Sequence, residues 1–553
     1  MQRRASHDGR MTRHPAPART VALRAALAVT VSTVALAAPG AGTPAAAAPD
    51  RPPPAITWQP CPAYSDEALR LMAPPELLDR FKEQLARLEC GTISVPLDHG
   101  RPHGRTITVA LTRLPATDRA HRAGSLALNP GGPGGSGYLM PVQVALGGEA
   151  AGLNERYDLI GFDPRGVGYS TKTDCRPPDE DPGPRPVGPI TREEAQRRYD
   201  AEVRFNTACG QSDPEFLGRL TTADVARDLD LIRAGLHERK LDFIGVSWGT
   251  WLGVVYRSLF PAHVGRMFLD SVAIPRFSVV AFEDGRAAAA ERNAGRMAAW
   301  LAQRHDTYGF GTTPERVRAA VIALRADYDA HPRRFTDVEI PLDGEIIALS
   351  AAQDSPIWPL AAQVLKELRD ATGPTAPPTV KEVIGDVTAP PEPPADLPER
   401  ANRTMNKAAF CNEDPSRLGF DAAWAAYQRR LADNPMTGRA GGFSAGCAGW
   451  PLPVQQVRLR AGGGSLVLSG HRYESPSPYE WTLEMQSIVG GRVYRVDDDV
   501  HGSALQEPAC AADVVAYFGS GRIDRGCAGV PMPTGAGEPA ARTLSRMGTG
   551  FRS

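Results

Sequence analysis

The segment Gly245-Val246-Ser247-Trp248-Gly249 constrains this chain more than any other. It closes the apolar run Leu241 to Val246 (LDFIGV) and precedes a helix-like stretch from Trp251 to Phe260. A buried strand that turns sharply into a helix needs glycines beside the apex, because a side chain there would strike the backbone of the turn. The apex residue, Ser247, is then lifted above the sheet with its hydroxyl exposed. In a chain with 55 glycines the spacing G-x-S-x-G alone is a weak signal. Its placement between a strand and a helix gives it weight.

The surrounding pattern supplies the sheet that such a turn requires. Strands are expected at Thr106 to Arg113, Ser125 to Asn129, Tyr157 to Phe162, Arg266 to Ser271, Ser465 to Ser469 and Arg492 to Val496. Between two of them, Val225, Leu229, Ile232 and Leu236 recur at helical spacing. Strands alternating with helices imply a mostly parallel central sheet with right-handed crossovers. From about 274 to 455 the rhythm changes to amphipathic helices, interrupted by a Pro-rich stretch at 374–398. An insertion there, ahead of the last two strands, would lie as a lid over the carboxyl ends of the strands, where such sheets bind ligands. The expectation is therefore an α/β-hydrolase fold with an inserted helical lid: core at 49–273, lid at 274–455, core again at 456–530 and a Gly- and Pro-rich tail at 531–553.

A serine hydroxyl attacks only when a base takes its proton and an acid holds that base in the correct tautomer. In this fold the three follow in the order Ser, acid, His. His501, just past Arg492 to Val496, has the position of the base; His471, after the preceding strand, is its only competitor. Glu474 is the first carboxylate after Ser465 to Ser469 and is read as the acid, with Glu480 next. Asp497, Asp498 and Asp499 sit too near His501 in sequence to reach around to its Nδ1 and read as a solvated turn. The loop Asn129-Pro-Gly-Gly132-Pro-Gly-Gly-Ser-Gly137 follows a strand and would supply one oxyanion donor from Gly132, with Trp248 supplying the other. A phosphate-binding loop is the rival reading, but G-K-[ST] is missing and the spacing Gly132-x-Gly134-x-x-Gly137 is not read as opening a helix. Asp163-Pro-Arg165-Gly166 reads as a structural turn bracing the glycine loop. No cofactor or metal is needed by this chemistry.

Composition bears mainly on compartment. The net charge of -1 with interspersed signs leaves no basic footprint for nucleic acid. Arg3, Arg4, Arg13, Arg19 and Arg24 precede the apolar stretch Ala25 to Ala38 and the small-residue run Ala45 to Ala48. That order is a signal peptide, 1–48; the apolar core is short for a membrane anchor, the other reading. The protein is expected outside the cell, free or associated with the wall, without stable membrane association after cleavage. Eight cysteines remain. An even number in an exported chain favours disulfides, and pairing neighbours (61–90, 175–209, 411–447, 510–527) closes the shortest loops, although sequence alone fixes no connectivity.

With these parts placed, the chain resembles the secreted tripeptidyl aminopeptidases of actinobacteria, in the proline-iminopeptidase-like branch of α/β-hydrolase serine peptidases. The resemblance rests on Trp58-Gln-Pro-Cys61, Val95-Pro-Leu-Asp98, NPGGPGGSG (129–137), DPRGVGYS (163–170), TTADVARDLDLIR (221–233), GVSWGTWLGVVY (245–256), LFPAHVGRMFLDSV (259–272) and Cys447-Ala-Gly-Trp-Pro451. It implies release of short peptides, typically tripeptides, from free N-termini. Where the family shows an Asp-Pro-x-x-Pro segment, this chain has Glu474-Ser-Pro-Ser-Pro478, and a lid cysteine pair expected near Trp300 to Pro314 is missing. An aminopeptidase would need an anionic group for the substrate ammonium, with Glu283, Asp284, Glu291 and Asp354 as candidates. The alternative is an esterase or amidase on small acyl substrates, including a secondary metabolite. A binding protein with a decayed site is the third reading; the altered acid motif is its only hint.

Overall fold

The computed structural model describes residues 55–175, 187–385 and 393–535. The expected signal peptide and most of the tail lie outside them. The strands are β1 (Thr57–Gln59), β2 (Glu89–Pro96), β3 (Thr106–Leu114), β4 (Gly124–Asn129), β5 (Tyr157–Phe162), β6 (Leu241–Val246), β7 (Val264–Asp270), β8 (Ser465–His471), β9 (Arg492–Val496) and β10 (Gly526–Cys527). They form one sheet in the order β1-β2-β3-β5-β4-β6-β7-β8-β9-β10. β1, β2 and β3 pair antiparallel at one edge, and every pair from β5 and β4 onward is parallel.

The strands are apolar because both faces of the sheet are covered. Alternate residues of one strand feed two cores: in β6, Leu241 and Phe243 join Val225, Leu229 and Val254 on one side, while Ile244 joins Val142, Val514 and Tyr517 on the other. Two helices on the first side, Thr222–Gly235 and Trp248–Leu259, therefore press directly beneath the turn that carries Ser247. The first is capped by Thr221, whose side chain accepts from the Asp224 N–H.

Among the described residues no strand falls between Asp270 and Ser465. This stretch is helical, with Val279–Ala302, Pro314–Ala330, Trp358–Asp370, Arg403–Glu413 and Phe420–Asp433 among its helices. Part of it has its own apolar cluster, centred on Trp300, Tyr328, Trp358 and Leu365. Sequence patterning did not expose β1, β2 or β10. The first two belong to an antiparallel edge ahead of the repeating units, and β10 is two residues long. The chain beyond Val530 is held as far as it is described: the Trp300 Nε1–H donates to the Pro533 carbonyl at 2.8 Å.

The four cysteine pairs are 61–90, 175–209, 411–447 and 510–527. The first fastens the antiparallel edge, where Cys90 faces Gln59. The last ties β10 to the helix Pro508–Ser520.

Candidate active site

Ser247 occupies φ 58°, ψ −124°, a conformation that costs a non-glycine residue on the order of 1–3 kcal/mol. Close packing holds it there. A Cβ at Gly245 would stand 2.3 Å from the Gly249 carbonyl oxygen, and one at Gly249 would stand 2.7 Å from that of Asn129. Both glycines are thus required by backbone crowding, as the motif implies. The Ser247 N–H donates to the Asp270 carbonyl at 3.0 Å, fastening the apex to the end of β7.

His501 and Glu474, distant in sequence from Ser247, are brought to the same end of the sheet. His501 Nδ1 lies 2.8 Å from Glu474 Oε2. A carboxylate only accepts, so Nδ1 is the donor, and in the neutral ring Nε2 is the nitrogen that keeps its lone pair. The Glu474 side chain is buried (0%) while that of His501 is 31% exposed, so the carboxylate is shielded from water and the imidazole is accessible. His501, Gly502, Val246 and Pro130 line an open cavity of about 620 Å³. Glu474 Oε2 also accepts from Ser271 Oγ at 3.1 Å, and the Ser271 oxygen accepts the Gly502 N–H at 2.8 Å. Ser271, itself at φ 55°, thus joins the acid to the loop of His501. Sequence reading placed it at a strand end and gave it no role; only the fold brings it to Glu474. Glu474 Oε1 has no hydrogen-bond partner among the described residues.

The glycine loop lies against the apex: a Cβ on Gly131 would stand 3.0 Å from Ser247 Cβ and 3.1 Å from the Trp248 nitrogen. The Gly131 N–H is engaged by Asn129 Oδ1 at 3.0 Å. Gly132 is exposed in the loop, and no acceptor for its N–H occurs among the described residues. Trp248 is the first residue of its helix, where a backbone N–H has no partner within the helix. Behind the loop, Ser136 Oγ donates to Asp163 Oδ1 at 2.5 Å and the Tyr169 N–H to Oδ2 at 2.8 Å. Burial pushes the Asp163 carboxyl up to about 6. Asp163 stays behind the loop, bracing it, and Arg165 is locked onto Asp228 by two bonds of 2.7 Å.

Beneath the apex helix sits Glu413, which the sequence did not single out. Its oxygens accept from the Thr222 N–H at 2.7 Å and Trp251 Nε1 at 2.9 Å, tying three helices together, and burial raises its carboxyl. Of the acidic candidates in the insertion, Glu291 is saturated by Arg318 and by Met436 and Thr437. Glu283 and Asp284 share Arg430 at 2.9 and 3.1 Å; burial raises the Glu283 carboxyl against that pull. Asp354 precedes the short turn Ser355–Ile357, where its backbone carbonyl accepts the Ile357 N–H at 3.0 Å. His471, the competitor for the base, is buried between Asp270 and Asp498, and Asp498 and Asp499 are buried rather than solvated. Asp499 is held by Ser355, Asn293 and Arg296. Among the described residues no cluster of His, Cys, Asp or Glu is arranged to hold a metal ion.

A hydroxyl on a strained apex, an imidazole oriented by a buried carboxylate and a glycine loop with an open N–H form the set that acyl transfer uses. Comparisons with known proteins identify the fold and the family. The alpha/beta hydrolase fold family model matches residues 125–290. A tripeptidyl aminopeptidase of Streptomyces lividans is 32% identical over 462 residues, covering 79% of this chain and 82% of the relative. Serine protease Hip1 of Mycobacterium tuberculosis is 27% identical, covering 78% and 84%. Carboxylesterase B of the same organism is 26% identical over 470 residues, covering 79% and 84%. The chain is a serine hydrolase of the α/β-hydrolase fold and belongs to the tripeptidyl aminopeptidase family.

Proposed function

We propose that this protein is a secreted exopeptidase that releases tripeptides or other short peptides from free N-termini, with Ser247 as nucleophile, His501 as base and Glu474 as the acid. The bond between Glu474 and His501 Nδ1, at the wall of a cavity that also touches Val246 beside the apex, carries this reading. In the mechanism Ser247 Oγ attacks the scissile carbonyl while His501 Nε2 takes its proton. The oxyanion is met by the N–H groups of Gly132 and Trp248, worth on the order of 10²–10³ in rate per donor. His501 then protonates the leaving amine, and water, activated by the same imidazole, releases the peptide from the acyl-enzyme. The helices of 274–455 act as the lid, and Glu283 and Asp284 on Val279–Ala302, with Asp354 ahead of Ser355–Ile357, are the carboxylates left to meet a substrate ammonium once Glu291 is set aside. Four disulfides fit an oxidising compartment outside the cytoplasm. Substrates are peptides or small acyl compounds, without nucleic acid and without stable membrane association.

A second reading, an esterase or amidase on small acyl substrates, is favoured by the relative named carboxylesterase B. A chromogenic tripeptide anilide, with and without an N-terminal acetyl block, separates the two. Cleavage of the free amine alone, abolished in Ser247→Ala, supports the exopeptidase; equal cleavage of both forms supports the second reading.

A further inference from the structure

His471 ends β8 three residues before Glu474 and is closed to solvent at 0% exposure. Its Nε2 lies 2.9 Å from Asp270 Oδ1 and its Nδ1 2.6 Å from Asp498 Oδ1. Two carboxylates on opposite nitrogens are both satisfied only when each nitrogen carries a proton, so the ring is an imidazolium. Burial opposes that charge, but the field of Asp270 and the bonds to Asp270 and Asp498 outweigh it and hold His471 well above the ordinary histidine range.

The two aspartates reach from this ring to all three catalytic loops. The Asp270 carbonyl accepts the Ser247 N–H at 3.0 Å, and its Oδ2 accepts the Ala504 N–H at 3.2 Å. The Asp498 carbonyl accepts the N–H of Tyr473, beside Glu474, at 3.0 Å. Its carboxylate takes the Val500 N–H at 3.3 Å, Ser503 Oγ at 2.7 Å and the Val530 N–H at 2.9 Å, framing the turn that contains His501. Strand pairing stops here: Asp270 faces Ser469 in the last rung between β7 and β8, and His471 faces Val496 in the last between β8 and β9. Past those rungs the loops have no sheet to hold them in register.

We propose that His471 is a positioning residue of the catalytic centre, a fixed cation that clamps the ends of β7, β8 and β9 so that Ser247, Glu474 and His501 are presented together. This rests on the triad assigned above. A buried ion triad suits that task because each partner has one satisfied orientation, whereas an apolar trio would pack in several. The charges facing the ring are Asp270 from β7, Asp498 from the turn after β9 and Glu474 from the loop after β8. Close by, Asp499 is neutralised by Arg296, and the Tyr494 hydroxyl of β9 is committed to Asp513.

The charge gives the clamp a signature that packing alone lacks. Replacing His471 by a neutral side chain leaves the carboxylates uncompensated, so the field at His501 becomes more negative. That favours the protonated form of His501, which cannot accept the Ser247 proton. The rate of Ser247 labelling by a fluorophosphonate reads this without reference to any peptide substrate. In His471→Gln, labelling at neutral pH should slow on the order of 10- to 100-fold, with the acid limb of its pH profile displaced upward by about one unit. Adding Asp498→Asn removes one negative charge and should bring the limb back. Slower labelling with an unmoved limb, or unaltered labelling, overturns the clamp. No labelling of the unsubstituted protein would instead overturn the triad on which it rests. If His471→Gln fails to fold, ring-nitrogen NMR of the intact ¹⁵N-histidine-labelled protein decides. One ring protonated on both nitrogens from about pH 5 to pH 9 supports the clamp, and its absence refutes it.

Discussion

Two histidines sit at the carboxyl end of this sheet, and each offers its Nδ1 to a buried carboxylate: His501 to Glu474 at 2.8 Å and His471 to Asp498 at 2.6 Å. They differ at the other nitrogen. His471 Nε2 meets Asp270 in a sealed site, whereas His501 is 31% exposed and lines a cavity. An imidazole with one nitrogen held and the other free can move a proton; one with both nitrogens held can only keep its charge. The same side chain is thus a base or a brace according to what faces its second nitrogen.

Substitutions at the two positions should part in kind. Replacing His501 with Gln should lower turnover of the tripeptide anilide by about 10³–10⁴ or more while moving the urea midpoint far less, because the amide N–H can still donate to the buried Glu474 carboxylate. A comparable loss of stability from His501→Gln would erase the distinction. For His471→Ala, which strands Asp270 and Asp498 without their cation, the larger effect is expected in stability: a loss of about 3–5 kcal/mol in urea unfolding, since breaking a buried pair leaves charge uncompensated.

Ser271 sharpens the comparison from the side of the base. Its hydroxyl bonds both Glu474 and the His501 loop, so Ser271→Gly, which tolerates the φ of 55°, should lower kcat about tenfold and leave KM unchanged. A change confined to KM would place Ser271 in substrate binding instead.

The smallest effect is in stability against pH. The folded His471 value is raised, so its contribution is complete below the unfolded value of about 6.5 and is lost as pH climbs through the folded value. Asp270 runs the other way. Burial pushes its carboxyl up, but the charge of His471 outweighs this and lowers it, so its contribution is present above about 3.9 and lost as pH falls. Thermal melts should show a contribution from this cluster that is greatest between about pH 4 and pH 6.5 and fades toward alkaline pH. His471→Gln should abolish the alkaline fade; its persistence would assign the fade to other groups.

The sequence by itself determined the parts whose physics is local. Gly245 and Gly249 flank Ser247 because the strand-to-helix turn leaves no room for Cβ atoms, and that crowding is written as a spacing. The strands from β3 to β9 show as apolar runs because both faces are covered, and the insertion shows as a change of period. Chain order in the fold pointed to Glu474 and His501, which the structure brings within a hydrogen bond. What each remaining polar group faces was decided by tertiary structure alone. Asp498 and Asp499 read as a solvated turn because a run of acids usually is one, yet the fold buries the first against His471 and the second among Ser355, Asn293 and Arg296. Ser271, Glu413 and Asp270 carry no motif. Their partners lie on other elements, and a charge or hydroxyl acquires its role only when distant strands and helices close around it and exclude water.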